Sequence, residues 1–547
     1  MSSPDSLRAP LLWLLLPFAA GLVLADAFPP PPDLWRTLAW ALLPVAGLTL
    51  LLARSPHRWA ERSVGAALLG CGLWLGYVWL PLRSPPRIAW THPPREVNVV
   101  LEIEQIFPPL PQRKTFSGLA RVVDAEGPAA FIRGQRVYFA AIRRISTQPE
   151  ISGHYRFRGV IEAVPEPGDG RGFEQYLAAQ GVHVRIMRGH LREETQPPTA
   201  FRRFCRRAEA RLEEILRHGL EDHPQLISLY LAMLLGEKAV LGTEQENAFM
   251  RTGVFHIFSI SGLHVAAIAL AIVSVLTLLR VPRRAGAIAG LATLWLYVQV
   301  TGGSTPAERA FLMIAFATAT QMLRLPGNLL AALAAAAFTT LLLEPRQLFT
   351  TGFQMSYSVV VALIVMGIPL SDRWQQAWQP WRDLPEADWS RRQHGVRTLG
   401  RALLGGLAIT CAALLASTPS SIGNFGLFSP GALLANLLVV PLASLAIAAG
   451  FVSLLAGLVG LMPVSLLFNH AAGVLITAME AMVLQGAALP GMYFTASFHA
   501  GWMTGASLVI LLGTMLLAAD RRWRRPWGFW LPVAALGLVL ILGVKFG

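Results

Sequence analysis

The string Gly253–Val265, GVFHIFSISGLHV, sets His256, Ser259, Ser261, Gly262 and His264 into an otherwise apolar stretch. Polar and ionisable groups at membrane depth cost roughly a few kcal/mol each unless they meet partners or water. As cavity-lining groups these five would mark a translocation path or gate. Gly262 would then permit a helix break, which survives in a membrane only where protein or water satisfies the freed backbone. As a pair, Ser261 and His264 lie three residues apart on one helical face, the spacing of a nucleophile and its base, but no third group is visible to orient the imidazole. Packed helices with satisfied histidines are the structural alternative.

A second set surrounds Arg309. Thr305, Pro306 and Glu308 read as a capping box with Pro at the first helical position. A cation in the first turn opposes the helix dipole, so Arg309 is expected to face an anion, either Glu308 or a passing phosphate. Gln354, Tyr357 and Ser358 share one face of an expected helix over 350–369, and Asn469, Gly473, Thr477 and Glu480 form a stripe over 464–489. Such stripes line a path or knit helices together.

A third set is basic and aromatic. Arg143, Arg144, Arg156 and Arg158 fall beside Tyr138, Phe139, Tyr155 and Phe157, and Arg202, Arg203, Arg206 and Arg207 recur on one face of a segment whose other face holds Phe201, Phe204, Ala208, Leu212, Ile215 and Leu216. Cations for phosphates and flat rings for bases are what single-stranded nucleic acid needs. The charge is modest, since residues 87–195 hold 15 basic and 12 acidic side chains.

The elements that must position these groups belong to a membrane. Of 547 residues 54% are apolar and 14% charged, with mean hydropathy +0.49, well below the roughly 25% charge of soluble chains. Apolar segments at 11–25, 38–53 and 64–82 precede a polar stretch, and further segments follow at 258–280, 285–301, 307–323, 327–343, 350–369, 402–418, 431–457 (with Pro441 a candidate break), 464–489, 501–519 and 529–546. The expected fold is a polytopic α-helical membrane protein of about 13 transmembrane helices with one extracytoplasmic, OB-like small β-barrel domain. Its domains would be three helices in 1–85, the β-domain in 86–198, basic amphipathic interfacial helices touching membrane lipid in 199–236, and a helical bundle in 237–547. Arginines in alternate loops, from Arg54, Arg58 and Arg62 to Arg521–Arg525, place those loops in the cytoplasm and the β-domain and C-terminus outside.

Several chemistries find no residues to carry them. No G-x-x-x-x-G-K-[ST] string occurs, so ATP-driven force would come from a partner. The twelve histidines show no metal-ligand spacing, and Cys71, Cys205 and Cys411 are isolated, so neither a metal nor a disulfide framework is expected. No cofactor is expected.

HIFSISGLHV resembles the signature of the ComEC family of natural competence, in its membrane-embedded region. Further likenesses follow in order: RGFEQYLAAQG at Arg171–Gly181 resembles the segment closing that family's external OB-type domain. GSTPAERAFLM at Gly303–Met313, GFQMS at Gly352–Ser356 and the FG-x-x-S…AN-x-x-x-x-P pattern within Asn424–Pro441 resemble its membrane motifs. The resemblance implies a non-enzymatic channel component that moves single-stranded DNA across a bacterial inner membrane, multi-pass, with the β-domain on the periplasmic side. It also implies partners: a periplasmic DNA-binding receptor, a cytoplasmic ATPase or single-strand-binding protein, and a separate nuclease. Many members carry a metallo-β-lactamase-like nuclease domain that no residue here matches. The sequence sets no oligomeric state. The other reading is a transporter or flippase of a different polyanion, such as a lipid-linked glycan.

Overall fold

The computed structural model describes residues 11–29, 58–84, 93–107, 115–142, 149–165, 172–236, 243–258, 260–325, 328–520 and 526–547. The apolar segment at 38–53, Arg143, Arg144 and Ser259 lie outside the described residues. Helices α1 (Leu12–Ala27) and α2 (Arg58–Arg83) precede strands β1 (Arg95–Ile106), β2 (Thr115–Ala125), β3 (Arg136–Ile142) and β4 (His154–Ala163). Next come a short helix α3 (Phe173–Ala179) and strand β5 (Val184–Gln196). Helices α4 (Ala200–Arg217), α5 (Pro224–Leu235) and α6 (Thr243–Arg251) lead to a 3-10 turn at Phe255–Phe258. Then follow α7 (Gly262–Leu278), α8 (Arg283–Val300), α9 (Thr305–Met322), α10 (Leu329–Leu343) and a 3-10 turn at Pro345–Phe349. A π turn at Leu363–Gly367 joins α11 (Thr351–Ala362) to α12 (Ile368–Ala377), and α13 (Arg391–Ser420) ends in another at Ser421–Phe425. The remaining elements are β6 (Leu427–Phe428), α14 (Ala432–Leu458), α15 (Met462–Ala487), β7 (Phe494–Phe498), α16 (Trp502–Asp520), α17 (Trp530–Gly543) and β8 (Val544–Phe546).

The chain divides into two compact units, Arg8–Arg207 with Ala334–Thr350, and Ala208–Leu333 with Thr351–Gly547. In the first, five strands close a barrel in the order β1-β2-β3-β5-β4. The β3–β5 pair is parallel and the others are antiparallel. Period-two alternation builds it: Val97, Val99, Leu101 and Ile103 of β1 point inward while Glu96, Asn98 and Glu102 do not. The barrel closes tightly at Gly189, where a Cβ would run into the Phe157 ring. In the same unit α1 and α2 touch backbone to backbone, because a Cβ on Gly76 would collide with the Phe18 carbonyl oxygen. Arg136 ties the barrel to the 3-10 turn after α10, meeting Glu104 at 2.5 Å and Glu344 at 3.2 Å. Burial works against the Arg136 charge, but the two carboxylates outweigh it and hold the guanidinium above its ordinary range.

The second unit is helical. Among its described residues five helical stretches are long and apolar enough to cross a membrane, at Thr351–Ala377, Arg391–Phe425, Ala432–Leu458, Met462–Ala487 and Trp502–Ala519. Every expected apolar segment apart from 38–53, which lies outside the described residues, overlaps a helix, although the last one, 529–546, passes into strand β8 at Val544. Pro441 does not interrupt α14, which runs through it unbroken. The core is organised around α5, apolar on all sides, whose residues 229–235 are all buried. It lies inside the bundle, unlike the interfacial position that its neighbourhood with the basic segment suggested.

Candidate translocation site

The GVFHIFSISGLHV string folds as an interrupted helix. Gly253, at φ +71°, ends α6, the 3-10 turn carries His256 at the surface, and α7 starts afresh at Gly262. Ser261 is the N-cap and forms a reciprocal capping box with His264. The Ser261 N–H donates to His264 Nδ1 at 3.3 Å, and Ser261 Oγ lies 2.8 Å from the same nitrogen. That makes Nδ1 an acceptor and leaves the proton on Nε2, which is buried and makes no well-formed hydrogen bond, although the Ile257 backbone lies close to the ring. The pair therefore has the geometry of a helix cap, and among the described residues no carboxylate is bonded to the imidazole as a catalytic base would require.

Arg309 is buried on α9 and donates from Nη2 to the Gly352 carbonyl at 3.0 Å. Gly352 makes room for it: a Cβ there would stand 3.3 Å from Nη2. The cap of α9 differs from the expected one. Ser304, one residue earlier, is the N-cap, and its side chain makes no cap bond, so Thr305 and Glu308 do not form a capping box. Beside Gly352, Thr351 Oγ1 donates to Asn424 Oδ1 at 2.9 Å, and Asn424 Nδ2 donates to the Ser420 carbonyl at 2.9 Å. A polar chain thus runs from α9 through the start of α11 to the π turn after α13. Thr351 and Asn424 were visible in the sequence only as neighbours of the quoted motifs. Gln354 is half-buried one turn along α11, with Tyr357 and Ser358 buried on the same helix.

Among the described residues of this unit seven buried side-chain polar atoms make no hydrogen bond: Nε of Arg309 and of Arg401, and five on uncharged side chains, His264 Nε2, Ser304 Oγ, Ser420 Oγ, Ser429 Oγ and Asn436 Oδ1. Ser429, Ala432 and Asn436 recur at helical spacing, and Gly253 packs against the first two. Buried polar groups are rarely left unmatched in proteins, so each of these atoms marks a place that water or a polar ligand can visit.

The stripe on α15 behaves differently. Asn469 Oδ1 accepts from the Tyr230 hydroxyl at 3.1 Å and from Ser453 Oγ at 2.6 Å, while its Nδ2 donates to the Ile215 and His218 carbonyls at 2.8 and 2.9 Å. Thr477 bonds back to the Gly473 carbonyl. Glu480, expected on the path, accepts from Gln245 Nε2 of α6 and serves as a tether between helices.

The basic and aromatic set also separates. Tyr155 and Phe157 are corrected from base-stacking groups to barrel core, because on β4 the period of two sends Arg156 and Arg158 outward and the rings inward. The Glu150 N–H donates to the Tyr155 hydroxyl at 2.9 Å, and burial, with Glu194 adding to it, pushes the phenol up to about 12. Arg158 grips Glu96 with two nitrogens, a hydrogen bond that holds the carboxyl below its ordinary range. Arg156 lies 4.0 Å from Glu193. On α4, Arg206 pairs with Glu150, Arg203 and Arg207 are exposed, and Arg202 is partly exposed. Phe201 and Phe204 are exposed, whereas Ile215 and Leu216 are buried in the bundle core.

Among the described residues no group of His, Cys, Asp and Glu could hold a metal ion. No solved structure matches the chain. ComE operon protein 3 of Bacillus subtilis (strain 168) is 30% identical over 142 residues, 26% of this chain and 18% of that protein. The matched stretch therefore spans less than a fifth of that relative's length. The family model described as competence protein matches residues 233–522. That stretch, more than half of the chain, holds the interrupted helix, the Arg309 to Asn424 chain and every one of these unmatched polar atoms; the chain belongs to the competence protein family.

Proposed function

We propose that the chain takes part in DNA uptake for natural transformation, passing a single strand across the bacterial inner membrane through the unit built around α7, α9 and α11. Family membership supports the uptake role. The observation that carries the conduit is the set of buried, unmatched polar atoms at His264, Ser304, Ser420, Ser429 and Asn436, because a hydrated path needs donors and acceptors that the protein does not itself occupy. Ser261, Arg309 and Gln354 belong to the same path or its gate. Amides, hydroxyls and few cations suit a moving polyanion, which strong fixed charge would trap.

The β1-β2-β3-β5-β4 order with parallel β3 and β5 supports reading the barrel as OB-type, and the loop arginines favour its periplasmic placement. A periplasmic DNA receptor, a cytoplasmic ATPase or single-strand-binding protein, and a separate nuclease would complete the system. The chain performs no covalent step, so a serine-reactive probe should leave Ser261 unlabelled.

Deleting the gene in its host and following labelled DNA tests the proposal. Label should accumulate outside the inner membrane with none in the cytosol. Unchanged passage into the cytosol sinks it, and loss of a surface glycan in the same strain would point to the other polyanion.

A further inference from the structure

Outside the barrel core a second aromatic cluster lies on the outer surface. It gathers Phe107 just past β1, Tyr138 of β3, and Phe173 and Tyr176 one turn apart on α3. Phe107 stacks on Tyr138 at 6.2 Å and meets Phe173 and Tyr176 edge-on at 5.8 and 6.1 Å. Tyr138 meets Phe173 at 5.1 Å, and Phe173 and Tyr176 lie nearly parallel at 6.0 Å. Leu119, Leu177 and Val182 support the quartet from below. Its top remains open, with Phe173 44% and Tyr176 37% exposed.

We infer that this quartet is a stacking platform for unpaired bases, holding a single DNA strand by its base faces and not by its phosphates. The place fits: barrels of this strand order take oligonucleotides on the β2–β3 face, flanked by the β1–β2 and β4–β5 connections, and Phe107, Tyr138 and α3 occupy those positions. The neighbouring arginines are paired with carboxylates, Arg121 and Arg136 with Glu104 and Arg185 with Glu162. Little cationic charge is left to draw phosphates. The rim carries amides at Gln175 and Gln180 and a Tyr176 hydroxyl donating to Gln105 at 3.4 Å, groups that suit base edges. Glu174 on α3 opposes insertion into hydrocarbon and repels anionic headgroups. A grip made of rings is tolerant of sequence and lets the strand step from ring to ring.

The inference rests on the uptake reading for its ligand, and one experiment separates the two. Full-length protein in phosphatidylcholine nanodiscs is titrated with fluorescein-labelled oligothymidylate of about 12 nucleotides, and with an abasic strand of equal length. The thymidylate should bind and the abasic strand should not, and raising salt from about 50 to 200 mM should weaken binding less than about threefold. Phe173→Ala with Tyr176→Ala should weaken binding at least about tenfold, while Phe173→Tyr with Tyr176→Phe keeps it. Equal binding of the abasic strand, or a double alanine variant that binds as the parent does (the result expected if the rings sit in lipid), overturns the platform. If gene deletion still abolishes uptake, the uptake function survives that result; unchanged uptake on deletion removes the function whatever the platform does.

Discussion

Asn469 and Ser420 are both fully buried polar side chains in the helical unit, yet their hydrogen bonding is opposite. Asn469 uses both ends of its amide on four partners from α4, α5, α14 and the chain just after α4. Ser420 Oγ has no partner, as is true of Ser304, Ser429, Asn436 Oδ1 and His264 Nε2. The same kind of residue thus glues helices in one region and is held in reserve in another. Polarity inside a membrane protein identifies a path only where protein partners leave it unused.

Substitutions can break that contrast. The largest effect is expected from Asn469→Leu, which strands the Tyr230 hydroxyl and the Ile215 and His218 carbonyls at about 1–3 kcal/mol each, while Ser453 keeps Ser465 as a partner. Thermal unfolding in detergent should show a steep loss of stability, and parental stability would mean that the hub is ornamental. Arg309→Ala should lower labelled-DNA uptake about tenfold or more with the protein still made at its normal level. Ser420→Ala combined with Asn436→Leu removes no protein bond from the unmatched atoms, so stability should stay within about 1 kcal/mol while uptake falls severalfold. A melt as deep as that of Asn469→Leu would erase the distinction. Gly352→Ala, which crowds Arg309 by a few tenths of an ångström, should reduce uptake more mildly. Smallest of all, Glu480→Gln keeps an acceptor for Gln245 and should leave uptake within about twofold, and a large loss would return Glu480 to the path.

Local pattern carried much of this architecture. Strand alternation at Val97–Ile103 and the long apolar segments are written in single stretches of chain, and so is the Ser261–His264 cap. The period of two also contained the correct fate of Tyr155 and Phe157, which the attraction of neighbouring arginines obscured. The quartet was illegible for a different reason: Phe107, Tyr138, Phe173 and Tyr176 come from separate elements and meet only when the barrel closes. Asn469 was legible as polar but not as a hub, since the carbonyls it holds lie 251 and 254 residues away. The start of α9 was misplaced by one residue because Thr305 with Glu308 spells a capping box, whereas Ser304, the stronger N-cap residue, has no such partner three residues on.

The reach of Asn469 also orders events during synthesis. The carbonyls of Ile215 and His218 at the end of α4 leave the ribosome long before the amide that will satisfy them, so this helix end must stay hydrated while most of the remaining chain is made. Only the arrival of α15 lets water leave and the central packing around α5 close, which makes α15 the latch of the helical unit and its interruption the surest way to leave α4 and α5 unsealed.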